Sequence, residues 1–162
     1  MNSAIERLIS LRVRDVMARD VVTVAANRTM SEAAETLRNY GISGVPVTDE
    51  MGRCVGVLSA TDFVQDLLEI EGEQPHREIT HELATHGPSG TIQVEEIAHD
   101  LVKRHMTPSV QTISENSTLI QAGRYMCEEH IHRLVVVNRQ SRPVGIISSL
   151  DLVSALVHAV EE

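Results

Sequence analysis

Slid along itself by 89 residues, the 162-residue chain aligns 13–64 with 102–153 without a gap. The identical pairs include Val13/Val102, Met17/Met106, Thr23/Thr112, Asn27/Asn116, Thr29/Thr118, Ala33/Ala122, Ile42/Ile131, Val47/Val136, Arg53/Arg142, Val55/Val144, Gly56/Gly145, Ser59/Ser148, Asp62/Asp151 and Val64/Val153. Average residue usage gives roughly 3 or 4 such matches by chance. A gapless duplication of this kind means one structural unit built twice. The length fits one ordinary domain or two small units that share a core.

The unit is legible from its local signals. Ile5, Leu8, Ile9 and Leu11 have helical spacing and predict a short leading helix. In the first copy a small strand over 21–24 precedes Thr29 and Glu32, a capping box. Met30, Ala33, Ala34 and Leu37 follow at helical spacing until Gly41. Gly44-Val45-Pro46-Val47 reads as a short strand whose proline belongs at a strand start or a sheet edge. A turn over 49–52 leads to a strand over 54–58, and a helix runs on through Leu68. The second copy repeats the pattern, with Thr118 and Gln121 as its capping box and Leu119, Ala122 and Met126 as its helical stripe. The order is strand, helix, strand, strand, helix, twice. This divides the chain into 1–68 (leading helix and repeat one), 69–101 (linker) and 102–162 (repeat two with a C-terminal helix). The linker holds an acidic run at 69–73 and the turn Gly87-Pro88-Ser89-Gly90, with short helices expected over 76–84 and 94–102. A connection that long is often functional.

Composition removes several classes of function. The net charge is −9, with no Trp, two Tyr and one Phe, so both the basic footprint and the stacking aromatics of a nucleic-acid binder are missing. No apolar run reaches bilayer length, and residues 1–10 lack a signal-peptide core, so a cytoplasmic location is expected. Cys54 and Cys127 read as free thiols of a reducing compartment.

Each repeat ends in the same motif, Gly56-Val57-Leu58-Ser59-Ala60-Thr61-Asp62 and Gly145-Ile146-Ile147-Ser148-Ser149-Leu150-Asp151. Each runs from an apolar β-branched stretch into an amphipathic one, placing serine and aspartate at a helix mouth. Unpaired backbone N–H groups there attract an anion, and a carboxylate beside them accepts hydrogen bonds from sugar hydroxyls. The same spacing is also an ordinary capping box, and the two roles are compatible.

Taken with Asp15-Val16-Met17, His105-Met106-Thr107-Pro108, Gly41-Ile42-Ser43-Gly44-Val45-Pro46-Val47 and His130-Ile131-His132-Arg133-Leu134-Val135-Val136, these motifs resemble tandem cystathionine-β-synthase (CBS) domains, also called a Bateman module. The resemblance implies an α/β (α+β) fold of two βαββα units packed about a pseudo-twofold axis, with short sheets at the core and helices outside. It implies two clefts that take adenosine ligands, and a homodimer formed through helices. Carried over by position, Asp62 and Asp151 hold ribose, Ser59 and Ser148 lie near ribose or phosphate, and Thr23, Thr112, Ile42, Pro46 and Ile131 line base pockets. His132 and Arg133 replace Ser43 and Gly44 of the first repeat and match a pair that contacts phosphate in kinase-regulating members. Arg12 and Arg14 are further cation candidates. The Asp62 cleft, with Ser59, Thr23, Ile42, Pro46 and these cations, is therefore expected to be the better site for AMP, ADP or ATP. The cleft of Asp151, Ser148, Thr112 and Ile131 is expected to be weaker, or to take an uncharged adenosine derivative.

Other classes fare worse. His81-Glu82-Leu83-Ala84-Thr85-His86 places its histidines five apart, about 140° from each other around a helix, so they do not form the zinc-protease pair. A structural metal on His76, His81, His86 or His99 stays open. No serine or cysteine has a histidine and an acid at spacing that marks a triad, so no catalysis and no required cofactor are expected. The main alternatives are a structural dimerisation module with vestigial clefts, and a binder of S-adenosylmethionine or another adenosyl ligand. With no effector domain in the sequence, a separate partner protein is expected to receive the signal.

Overall fold

The computed structural model describes residues 2–72, 95 and 97–161. Its elements are α1 (Asn2–Ser10), α2 (Val13–Val16), β1 (Val24–Ala25), α3 (Met30–Tyr40), β2 (Gly44–Thr48), β3 (Cys54–Ser59), α4 (Ala60–Gly72), α5 (Val102–His105), β4 (Thr112–Ser114), α6 (Leu119–Glu128), β5 (Arg133–Val137), β6 (Pro143–Ser148) and α7 (Ser149–Glu161). They form two three-stranded sheets, β1-β2-β3 and β4-β5-β6. In each, the first pair is parallel and the second antiparallel. This is the mixed α+β arrangement that the duplication implies. The helix expected over 76–84 lies outside the described residues. Of the one expected over 94–102, residues 95 and 97–99 are helical, residues 100 and 101 are not, and Val102 begins α5.

The helices begin where their caps predict. Thr29 Oγ1 accepts the Glu32 N–H, and Glu32 accepts the Thr29 N–H at 2.9 Å. Thr118 and Gln121 do the same at 3.1 and 2.9 Å. Both helices turn an apolar stripe inward, Met30, Ala33 and Leu37 in one and Leu119, Ala122 and Met126 in the other. The first ends on Gly41 at φ 61°, a left-handed position that glycine adopts without a Cβ penalty. The second ends on His130 at φ 54°, and the later turn that uses Gly52 in repeat one uses Ser141 at φ 60° in repeat two. Each of these side chains costs about 1 kcal/mol in that region.

Pro46 departs from its expected place. It lies in the central strand of its sheet, opposite Val57. The proline is tolerated because β1 joins β2 only at Val47, one residue further on. In repeat two the equivalent residue, Val135, donates its N–H to Gln111, and β4 is one residue longer than β1 as a result. Pro46 has no N–H to make that bond.

The larger departure is that the linear repeats are not the packed units. Residues ahead of each repeat's first strand cross to the other repeat. Val13 N–H donates to Ser117 O and Arg14 N–H to Glu115 O. In the reverse direction Val102 N–H donates to Arg28 O and Lys103 N–H to Ala26 O. Val13 and Met17 are thus buried with Ile113, Leu119, Leu134 and Ile147, while Val102 is buried with Val24, Met30, Val45 and Leu58. Val13 and Val102 are fully buried, and sequestering a side chain of that size contributes about 1.5–3 kcal/mol to each swapped contact.

The exchange continues along the sheet edges. Ala18 pairs antiparallel with Ile146 of β6, and Thr107 with Val57 of β3. The crossing segments pass directly over the motif glycines. A Cβ on Gly145 would stand 2.7 Å from the Ala18 carbonyl and 2.6 Å from the Met17 sulfur; on Gly56 it would stand 3.1 Å from the Thr107 carbonyl and 2.4 Å from the Met106 sulfur. A methionine end can swing away, whereas a paired backbone carbonyl cannot. Gly145→Ala is therefore expected to destabilise by about 1–3 kcal/mol and to lower Tm more than Gly56→Ala. Equal or reversed losses in thermal unfolding would contradict this reading of the crossing.

Candidate functional site

Strand β3 ends at Ser59 and β6 at Ser148, and each passes straight into a helix whose first turn carries an aspartate. Asp62 Oδ2 accepts the Ser59 N–H at 2.6 Å and the Ser59 hydroxyl at 2.9 Å. Asp151 Oδ2 accepts the Ser148 N–H and hydroxyl, both at 2.7 Å, and Asp151 N–H is 3.3 Å from Ser148 Oγ. The capping role is real in both copies. It uses one carboxylate oxygen. Among the described residues Oδ1 of each aspartate has no hydrogen-bond partner. Both aspartates are half-buried, so each helix mouth offers a fixed, oriented acceptor to an incoming hydroxyl.

The strand partners of the motifs place the remaining candidates. Within sheet one, Ala60 N–H donates to Ser43 O and Gly44 lies opposite Ser59. Within sheet two, Ser149 N–H donates to His132 O and Arg133 lies opposite Ser148. His132 and Arg133 are exposed, and among the described residues neither side chain has an ion-pair or hydrogen-bond partner. Glu129 lies 3.5 Å from the Gln111 side-chain nitrogen instead. Arg12 and Arg14 sit on the 115–118 turn of repeat two. Arg12 donates its backbone N–H to Asp15 at 2.8 Å, and the Arg14 guanidinium donates to Asn116 at 2.9 Å.

Chain connectivity links each threonine to the motif strand of the other repeat. The segment 18–23 leaves β6, the strand of Asp151, and enters sheet one as β1. The segment 107–112 leaves β3, the strand of Asp62, and enters sheet two as β4. Thr23 therefore lies on the chain that comes from the Asp151 motif, and Thr112 on the chain that comes from the Asp62 motif. The grouping expected from the sequence puts Thr23 with Asp62 and Thr112 with Asp151. Thr107 and Ala18, paired at the motif strands, are the residues that a linear reading misses. The glycines that admit them are the signal that was there to be used.

Two cavities lie near these strands. One of about 420 Å3 is lined by Asp151, Asp15, Val16, Leu11, Ala155 and His158, among others. The other, about 190 Å3, lies between Cys54, Pro108, Val110, Thr112, Val137 and Ser141. Burial pushes the Cys54 thiol above its ordinary value, and the Gly56 carbonyl 3.7 Å away only partly offsets this, so the group favours the unreactive thiol.

The family model of the CBS domain matches residues 13–69 and again 95–158. The chain is a pair of CBS domains. An uncharacterised protein of Methanocaldococcus jannaschii, MJ1426, is 27% identical over 158 residues, covering 90% of each chain. Among solved structures, CBSX2 of Arabidopsis thaliana in complex with AMP superposes with a TM-score of 0.68 at 22% identity, covering 94% of this chain and 100% of that one. The CBS domain pair of protein MJ0100 in complex with 5′-methylthioadenosine and S-adenosyl-L-methionine gives a TM-score of 0.62 at 22% identity, covering 89% and 98%. At these identities the structural likeness establishes the fold. No helix among the described residues of this CBS pair is long and apolar enough to cross a membrane.

Because both aspartates cap helices in the unliganded protein, Asp62→Ala and Asp151→Ala are each expected to lower stability by about 1 kcal/mol, read by urea denaturation. A loss near zero in either would mean that the cap is not made. The measurement also supplies the baseline against which any loss of ligand binding by these variants is judged.

Proposed function

We propose that this CBS pair is a non-catalytic regulatory module that senses an adenine nucleotide, AMP, ADP or ATP, in its clefts. The observation that carries the reading is the pair of half-buried carboxylates, each with one oxygen committed to a helix cap and the other uncommitted, at equivalent places in the two halves. Ribose hydroxyls satisfy such an oxygen without disturbing the cap. AMP bound to CBSX2 is consistent with it.

In this proposal Asp62 anchors the phosphorylated ligand. The segment 107–112 runs from its strand into sheet two beside β5, where the register sets Thr112 against Val135, two residues past Arg133. Ser59, Asp62, Thr107, Thr112, Ile131, His132 and Arg133 then belong to one cleft, with Arg133 supplying a planar fork of donors for phosphate. Ser148, Asp151, Thr23, Ile42 and Pro46 belong to the other, beside Ser43 and Gly44, which bring no charge. That cleft suits an uncharged adenosine derivative or S-adenosylmethionine. Arg12 and Arg14, held on the 115–118 turn, attract an anion electrostatically rather than by direct contact.

A thermal-shift panel of AMP, ADP, ATP, S-adenosylmethionine, NAD and guanine nucleotides tests the reading. A ligand at about 100 times its Kd adds roughly 2.7 kcal/mol, so a clear rise in Tm is expected with an adenine nucleotide and none with its guanine counterpart. Asp62→Ala is expected to abolish the response. Arg133→Ala should weaken the response to phosphorylated ligands and spare adenosine. Silence toward every adenosine compound would leave the structural dimerisation module as the better account.

The same chain carries a surface suited to a second copy of itself. On α7, Leu150, Val153, Val157 and Val160 are 74, 53, 45 and 70% exposed and share one face, and on α4 Val64 and Leu68, the counterparts of Val153 and Val157, are 54 and 61% exposed. Apolar stripes on two pseudo-equivalent helices fit a homodimer joined helix to helix. Sedimentation velocity is expected to give the mass of two chains, reduced to one by Leu150→Glu combined with Val153→Glu. A monomeric wild-type protein would refute the dimer.

A further inference from the structure

The arm that each repeat lends to the other rests against the helix following the motif, and the two contacts differ in chemistry. In one half Leu11, Val16 and Ala155 meet beside the larger cavity. The positions 89 residues away hold Asp100, His105 and Asp66. His105 Nδ1 lies 2.9 Å from Asp66 Oδ2 and its Nε2 lies 3.1 Å from Asp100 Oδ2, and the imidazole is only 14% exposed. Asp66 Oδ2 is itself buried and takes no hydrogen bond from any described group, so its 2.9 Å contact with His105 Nδ1 is an ion-pair contact and the charge on the ring is what compensates it. A neutral imidazole carries one N–H and one lone pair, so it would turn the lone pair toward one of these carboxylates. Only the doubly protonated ring presents a donor to both.

We infer that His105 is a proton-operated latch, which in its charged form fastens the α5 arm of repeat two to α4 of repeat one and loosens that contact when it loses a proton. The groups around it are few. From α4 comes Asp66, with Asp62 one turn nearer the N-terminus; from the arm come Asp100 and Arg104, whose guanidinium lies 3.1 Å from Asp100 Oδ1. The other half has Val16 and Ala155 at the corresponding positions, so no imidazole joins its arm to the motif helix there. Asp62 and Asp66 are four residues apart on one face of α4, which puts the latch on the helix that carries the Asp62 carboxylate. The latch itself stands whether or not that carboxylate holds a ribose.

Burial disfavours the charged ring, but hydrogen bonds and charge from Asp66 and Asp100 outweigh it and raise the His105 pKa above its ordinary 6.5. A histidine raised on folding adds stability that is complete below its unfolded pKa and is lost as pH rises through the folded one. The experiment is an NMR titration of imidazole resonances in the unliganded full chain, His105 being assigned by its absence from His105→Gln. Its midpoint is expected above 6.5, and Asp66→Asn and Asp100→Asn should each move it down. In parallel, the Tm advantage of wild type over His105→Gln should be present at about pH 5.5 and shrink toward about pH 8.5, a window that spans the titration of a raised histidine. A midpoint at or below 6.5, or a Tm difference that ignores pH, overturns the latch. Should His105→Gln not fold, Asp66→Asn still identifies the resonance by its shift, and an unmoved midpoint in that variant overturns the proposal equally.

Discussion

The reciprocal crossing of residues 13–18 and 102–107 is the interaction on which the rest of this fold depends. Two three-stranded sheets of this size each leave an edge at β3 or β6, and an open edge of apolar strand invites pairing with another chain. Here the other repeat fills it, Thr107 on Val57 and Ala18 on Ile146. Because the filling chain carries Met17 or Met106 over the motif glycine, one contact closes the sheet edge, completes a core and brings a foreign segment to the mouth of the motif helix. Neither core cluster is complete without a valine from the other half. The clefts are therefore properties of the pair, and a single repeat has neither a closed edge nor a finished site.

That dependence explains which features could be read from the amino-acid order. Helix α3 was legible because Thr29, Glu32, Leu37 and Gly41 all act within a dozen residues of one another, and the same is true of Thr118 and Gln121 for α6. The two strands around each turn were legible for the same reason. The exchange was not, because Val13 has the same local neighbours whether it packs on its own repeat or on the other. Pro46 misled in a related way: a proline argues against a central strand, and the argument failed because β1 stops one residue short of it. His130 and Ser141 hold left-handed backbone where repeat one has glycine, so the turn persists after the residue that signals it has gone.

The candidate site divides along the same line. The serine and aspartate of each motif were visible because cap and strand end are local. The spare acceptor was equally visible, since the cap occupies one oxygen of a group that has two. Grouping the motifs with Thr23 or Thr112 requires knowing where the chain goes after Ala18 and Thr107, and no periodicity carries that information. The identical residues of the two repeats are mostly those of the shared frame: Val13 and Val102 in the cores, Gly56 and Gly145 under the crossing, Thr29 and Thr118 at the caps. Even there one residue type serves two ends. Arg53 pairs with Asp49, whereas Arg142 donates to the Met51 carbonyl of the other repeat.

Where the repeats differ, the differences fall on the cleft rim and the arm contact, not on the frame. Ser43-Gly44 against His132-Arg133 alters the charge beside the motifs, and Val16-Ala155 against His105-Asp66 alters what holds the arm. A symmetric frame tolerates this because the crossing and the cores are satisfied by other residues. An exposed Arg133 keeps β5 paired with β6 through its backbone, and among the described residues the frame makes no use of its guanidinium. His105 is the opposite case, since its two carboxylates are partly withdrawn from water and are poorly compensated without a cation between them. Backbone bonds cross between the repeats in both halves, and what differs is the side-chain contact of arm and motif helix, apolar in one half and ionic in the other. On the proposed latch, the half carrying Asp62 is the one whose hold varies with pH.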